Sequence, residues 1–404
     1  MNGEIGLIYL FQMGINHSCN FSASKNHCLT LIHDLPKNIV IRLHVVQAEF
    51  GDCFILESIF GKDSVNVLID GGPYRTFEKH LKPTLQKIPS NGKLDLMVLS
   101  HIDNDHIIGL LDLLNEIKTQ RDGGMKELIK ITRIWHNSFK ELLQLREEPN
   151  KLLRNIFPHQ GFKSGKKVIE PIVMKGFQQG GDLTLLARSL KIPINPSIGK
   201  AIAVSDSIKS IHLNNLDIEL LGPTKKNLDK LRKEWNDWFN KKQQTKKFES
   251  ALLKILDKSI PNLASIMFLV QIKNRKILFT GDGIGQDIID ILSKNKMLDK
   301  QGKFHVDVLK VPHHGSDRNT SKEFFDTIDA DYYVISANGR DDNPSLITLK
   351  WMIESCKIEN EPRKIVFTNM TSNIKKILEE YDQKKFNYEC MLLGKEENFL
   401  TIDL

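Results

Sequence analysis

The chain has 404 residues, 40% hydrophobic and 26% charged, a balance that supports a packed core and excludes a disordered or low-complexity protein. No run approaches the roughly 20 continuous apolar residues of a bilayer span, and the short run Ile5–Met13 lacks the basic flank of a secretory signal, so a cytoplasmic location is expected. Five scattered cysteines (Cys19, Cys28, Cys53, Cys356, Cys390) make no disulfide framework, and most of the +7 net charge falls between Thr224 and Lys258, where eleven basic residues stand against five acidic ones.

In chain order, residues 1–38 show no periodicity and read as an N-terminal extension that ends in a Pro36–Asn38 turn. Three β-branched, apolar runs follow, Ile39–Val46, Cys53–Ser58 and Val65–Ile69, the last closed by Asp70-Gly-Gly-Pro, and they predict successive strands. A helical segment is predicted from Thr76 to Ile88, broken at Pro83. Leu94–Ser100 reads as a buried strand that runs straight into His101, and Ile107–Ile117 has helical spacing. From about 119 to 260 the pattern loosens around a strand-like Ile129–Trp135, a short strand Ile218–Leu221 and an amphipathic helix bearing Leu228, Leu231, Trp235 and Trp238. This stretch is expected to be an insertion or cap on a single domain over 39–404. Regular structure resumes with strands Ala264–Ile272, Lys276–Thr280, Val306–Val311, Tyr332–Ser336 and Lys364–Thr368, interleaved with helices at Asp287–Leu292 and from Ser345 and Ser372. Such alternation predicts an α/β fold of packed sheets covered by helices.

The sharpest signal is Ser100-His101-Ile102-Asp103-Asn104-Asp105-His106, four metal-ligand side chains between an apolar strand and an apolar helix. Alternation beyond the strand points His101, Asp103 and Asp105 into one cleft. Imidazole nitrogen and carboxylate oxygen are the donors of a zinc or manganese site, whereas a solvated acidic turn with Asp105 as helix cap is the plainer alternative. Apolar flanks make four clustered titratable groups costly unless something binds them. Asp282, after Ile277–Gly281, and the His313–His314 pair, after Leu309–Pro312, again put ligand types at the ends of apolar strands.

His-x-Asp-x-Asp-His, Thr-Gly-Asp and His-His-Gly-Ser, in this order, resemble the metallo-β-lactamase superfamily, and more narrowly the hydrolase domain of ComEC-type competence proteins and its stand-alone relatives. The opening His44–Asp52 and the Asp70-Gly-Gly turn match that group as well, and the resemblance spans about 40–118 and 262–350. It implies a four-layered αββα sandwich holding two divalent ions, Zn²⁺ or Mn²⁺. His101 and Asp103 would serve one ion and Asp105 and His106 the other, with Asp282 between them and one of His313 or His314 completing the second. It further implies Asp70 as the carboxylate that orients the ligand loop, and Ser316 and Asn319 as substrate contacts. Asp105 and Asp103, with His314, would carry the proton transfers. Two features depart from the pattern: no isolated histidine precedes Asp282, His212 and Asn262 being the nearest positions, and Asn343-Pro344-Ser345 stands where relatives often have His-Pro-Ser.

A metal-activated water attacking phosphorus or carbonyl is the chemistry this implies. The expected activity is that of a phosphodiesterase or nuclease with a nucleic-acid or other phosphodiester substrate. The basic segment, including Lys241 and Lys242, would attract the polyanion, although a solvated helix face has the same composition. The alternatives are a hydrolase of small phosphoesters, nucleotides or lactones, and a non-catalytic binding protein with a degenerate site.

Overall fold

The computed structural model describes residues 39–145, 163–164, 167–168, 171–241, 262–356 and 361–404. The N-terminal extension and Lys242 lie outside the described residues.

Two mixed sheets stack face to face. The first has six strands in the order Phe399–Asp403, Ile39–Val46, Phe54–Phe60, Asp63–Ile69, Leu96–Val98 and Ile134–Trp135. Its first four are antiparallel, and the pairings from Asp63–Ile69 onward are parallel. The second has eight, in the order Lys209–Leu213, Leu216–Gly222, Met267–Ile272, Arg275–Phe279, Phe304–Lys310, Ile328–Ile335, Arg363–Phe367 and Tyr388–Leu392. It too changes from antiparallel to parallel, after Arg275–Phe279.

Both faces of these strands are apolar because both are covered. Val67, Ile69, Leu96, Val98, Ile277, Phe279, Val308 and Val334 pack between the sheets. Their neighbours one position along, Leu68 and Met97, turn outward onto the helix Asn104–Asp122 and the helical segments Phe77–Leu81 and Lys82–Leu85. Leu278, Leu309, Tyr333 and Ile335 turn outward onto the helices Gly285–Lys294, Lys322–Thr327, Leu346–Glu354 and Ser372–Glu380. The period of two thus produces four layers, αββα, as expected.

Among the described residues, the stretch read as an insertion contributes strands to both sheets. Ile134–Trp135 is an edge strand of the first sheet, and Lys209–Leu213 and Leu216–Gly222 belong to the second. The helix Pro171–Ser189 crosses a segment that reads as polar in sequence. It buries Leu183 and Ala187 in the outer core of the first sheet, joined there by Leu228 and Leu231 of the helix Lys225–Lys241. Glycines and glutamines hid a helix whose stability comes from tertiary packing rather than propensity.

Among the described residues no helix is long and apolar enough to cross a membrane.

Candidate metal centre

The ligand-type residues lie at the carboxyl ends of the parallel strands, where the two sheets meet. Asp70 follows Asp63–Ile69, His101 follows Leu96–Val98, Asp282 follows Arg275–Phe279, and His313 and His314 follow Phe304–Lys310. Backbone approach at two glycines fixes the loops. Gly109 of the helix Asn104–Asp122 lies against Gly71, so close that a Cβ there would sit 1.9 Å from the Gly71 carbonyl oxygen, and a Cβ on Gly51 would sit 2.0 Å from the carbonyl of Asp105. His313 and His314 both adopt left-handed backbone, with φ of 47° and 54°, which turns consecutive imidazoles into one cleft. Non-glycine residues are held in that region only where the surroundings over-determine them.

All seven predicted ligands converge. Asp282 stands at the centre with its two oxygens facing different partners. Oδ2 lies 3.5 Å from His101 Nε2 and 3.5 Å from His313 Nε2, while Oδ1 lies 3.4 Å from His106 Nε2 and 3.6 Å from His314 Nε2. Asp103 Oδ2 is 3.5 Å from His101 Nε2, and Asp105 Oδ2 is 3.4 Å from His314 Nε2. Both aspartates reach the mouth, with side chains 39% and 24% exposed, and the His313 ring is 26% exposed. The other members are buried.

The second nitrogen of each ring is already engaged. His106 Nδ1 donates to Asp70 Oδ2 at 2.9 Å, and Asp70 also accepts from the Ser100 backbone N–H and hydroxyl, each at 2.7 Å. Having given its proton to Asp70, the Ser100 hydroxyl can only accept from His101 Nδ1, 3.1 Å away. His314 Nδ1 donates to the Ser336 carbonyl at 2.8 Å. His313 Nδ1 donates to Asn319 Oδ1 at 2.6 Å, because the Asn319 amide nitrogen donates to the carbonyl of Asp282. Every Nε2 therefore faces the centre, and those of His101, His106 and His314, with Asp282 Oδ1, are buried without a hydrogen-bond partner. Buried polar atoms left without a partner are costly unless something binds them, and the donor set suits a divalent metal. Within it, Asp52, His106, Asp282 and His314 offer atoms all within 4.8 Å of one another.

Electrostatics point the same way. Burial would raise Asp282 and Asp105, but the imidazoles around them hold both well below the usual carboxylate range. Burial would lower His106 and His314, yet the carboxylates, Asp282 foremost, push both up, His314 to about 10. Without a cation His106 and His314 keep protons that an incoming metal must displace.

Asn319 and Ser316, read as substrate contacts, are buried, and Asn319 spends its amide orienting His313. His314, read as a proton carrier, holds Nδ1 on the Ser336 carbonyl and turns Nε2 toward Asp105 and Asp282. His212 is exposed on an edge strand of the second sheet and pairs with Asp217, away from the centre. Asn262, by contrast, lies 3.4 Å from His313 Nδ1. Lys241 ends the helix Lys225–Lys241, which packs against Asn262–Ala264 beside this ring. Sequence reasoning missed Asp52 and Lys310. Lys310 left one signal, a cation beside the apolar Val308–Leu309 at the end of a strand.

Residues 47–198 match the family model described as the Metallo-beta-lactamase superfamily. No curated protein matches. Solved structures similar to the chain include the metallo-β-lactamase fold protein YhfI from Bacillus subtilis, at 11% identity and a TM-score of 0.38, covering 90% of this chain and 100% of that one. Zn²⁺-bound PqqB from Methylobacterium extorquens has 10% identity and a TM-score of 0.38, with 90% and 100% covered. The diiron β-hydroxylase CmlA from Streptomyces venezuelae has 11% identity and a TM-score of 0.37, with 91% and 55% covered. The αββα layers, with this cluster at the strand ends, are those of the metallo-β-lactamase fold, and residues 47–198 carry the match to its superfamily model.

Proposed function

We infer that the protein is a two-metal hydrolase acting on phosphodiesters, with nucleic acid as substrate. The observation that carries the reading is the division of the cluster about Asp282. His101, Asp103, His313 and Asp282 Oδ2 form one donor set, and Asp105, His106, His314 and Asp282 Oδ1 form another. In this assignment both histidines of the pair are ligands, and His313 fills the place of the missing isolated histidine, with Asn262 and Asn319 on its far side.

Bound divalent ions would supply Lewis acidity and lower the pKa of a coordinated water. Asp103 and Asp105 are the carboxylates open to the mouth, and either would be placed to take up a proton there. Asp70, through His106, and Asn319, through His313, hold ligand rings in the tautomer that presents Nε2. Three carboxylates opposing two divalent ions leave one positive charge, complementary to a phosphodiester monoanion. Two further supports for nucleic acid are the resemblance to the competence-type hydrolase domain and the exposed Lys226, Lys230 and Lys233 of the helix beside Asn262.

Elemental analysis of the purified protein, paired with cleavage of single- and double-stranded DNA and RNA under Mn²⁺ or Zn²⁺, tests this reading. The expectation is about two ions per chain and cleavage lost in Asp105→Ala/His106→Ala. Binding should weaken with salt, and Lys226→Glu/Lys230→Glu/Lys233→Glu should shallow that dependence by about one unit of log–log slope for each phosphate the helix no longer neutralises. Metal uptake without nucleic-acid cleavage would refute the nuclease assignment and move the substrate to small phosphoesters. No uptake would refute the metal reading.

A further inference from the structure

A lysine at the floor of a metal centre is physically odd. Lys310 is fully buried, and its ammonium lies 2.5 Å from Asp52 Oδ2, 3.7 Å from Asp282 Oδ1 and 2.8 Å from the Gly281 carbonyl. An unpaired ammonium this deep would be expelled or neutralised. Asp52 is the counter-charge that keeps it there, and it is itself buried.

Asp52 also has the position of a ligand. One of its oxygens belongs to the group within 4.8 Å that includes His106, His314 and Asp282, while Oδ1 approaches His314 from the Nδ1 side of the ring, 3.4 Å away. Asp105, on the other side of that half of the cluster, is at the mouth. The second donor set thus has two carboxylates within reach, one facing solvent and one facing the lysine.

We propose that Lys310 is a specificity-determining positioning residue: its ammonium masks Asp52, keeping a fourth carboxylate out of the metal-ligand set. The proposal rests on the two-ion reading of the site. Masking has two effects. It holds the oxygen share of the donor set down, favouring metals that accept imidazole over harder, oxygen-seeking ones. It also preserves the single positive charge left by three carboxylates and two divalent ions, which a fourth free carboxylate would cancel. The remaining contact, from Nζ to Asp282 Oδ1, places a fixed positive charge against the second donor set alone.

The test is divalent-ion affinity and stoichiometry of the full chain, by titration of Zn²⁺ and Mn²⁺ against a chromogenic chelator. Lys310→Met should bind its second ion about tenfold tighter or more than the unaltered chain, since one buried positive charge is gone and a carboxylate is freed. Its preference should also move toward Mn²⁺. Asp52→Asn/Lys310→Met should return to within about threefold of the unaltered chain, and Asp52→Asn alone should bind about tenfold more weakly. Unchanged or weakened affinity in Lys310→Met, at an unchanged circular-dichroism spectrum, would overturn the mask. If that variant does not fold, Lys310→Gln is titrated in its place: tighter second-ion binding sustains the proposal, and unchanged or weaker binding overturns it. The unaltered isotherm judges the two-ion reading separately from the ratios between variants. Uptake by Lys310→Met but not by the unaltered chain would end that reading while sustaining the mask, and uptake by neither would end both.

Discussion

Replacing Asp70 with asparagine changes one atom of a buried side chain and reverses a hydrogen-bond polarity. Asp70 accepts three hydrogen bonds, from the Ser100 backbone N–H and hydroxyl and from His106 Nδ1. An asparagine can keep the backbone bond through its carbonyl oxygen. Its NH₂ group then faces the Ser100 hydroxyl and the His106 ring, where two donors already point. The hydroxyl can rotate; the ring can respond only by moving its proton from Nδ1 to Nε2, which removes the lone pair directed at Asp282. Loss of an outer partner of a ligating histidine typically weakens metal binding about 10- to 100-fold, and failure of the ring to adjust would leave a buried clash of donors costing about 1–3 kcal/mol. Two measurements separate these outcomes: Zn²⁺ affinity by chelator competition, and denaturant unfolding of the metal-free chain. Weaker binding at nearly unchanged stability is the expected result. Affinity within about twofold of the unaltered chain, well below the usual effect of such a partner, would refute the argument that Asp70 sets the tautomer of His106.

Two further outcomes are expected. Gly109→Ala puts a Cβ 1.9 Å from the Gly71 carbonyl oxygen. It should destabilise the chain by about 1–3 kcal/mol or more in denaturant melts, as overpacking does, and a loss below about 0.5 kcal/mol, the range of neutral surface changes, would contradict the close approach. For the metal-free chain, His314 is raised from 6.5 to about 10, so its contribution to stability is full below 6.5 and is lost as the pH climbs through 10. Asp282 and Asp105 are lowered from 3.8, so their contribution is lost on acidification. Melting temperature in chelator should therefore decline on the alkaline side of 6.5 while metal affinity rises with pH; a metal-free melting temperature that climbs steadily between those two values would contradict the charge assignment.

What was legible in the sequence was short-range chemistry. His101, Asp103, Asp105 and His106 could be read because one strand end and one helix start hold them all, and Asp282 and His313–His314 because each ends an apolar run. Strand cores were found for the same reason: Val65–Ile69 and Val306–Val311 are mostly β-branched or apolar, and the covering helices make both faces so. Asp52 and Lys310 were not legible as a pair, since they meet only when the two sheets close, 258 positions apart in the chain. Nor could the partners of the two final histidines be divided, because that depends on the left-handed turn and on Asn319 and Ser336. The closing strands Tyr388–Leu392 and Phe399–Asp403 carry too little hydrophobic pattern to be seen, and pairing with Arg363–Phe367 and Ile39–Val46 makes them strands.

The division of labour between the sheets has a mechanical consequence. His101, Asp103, Asp105 and His106 extend from the first sheet, and Asp282, His313 and His314 from the second. Any ion gripped by both groups is a clasp across the seam, joining parts of the chain that are far apart in sequence. Its grip adds directly to the free energy of unfolding, about 4 kcal/mol when the ion is at a thousand times its dissociation constant. Chelation should then do more than silence the site: it should unfasten one half of the sandwich from the other at the very edge where a substrate enters.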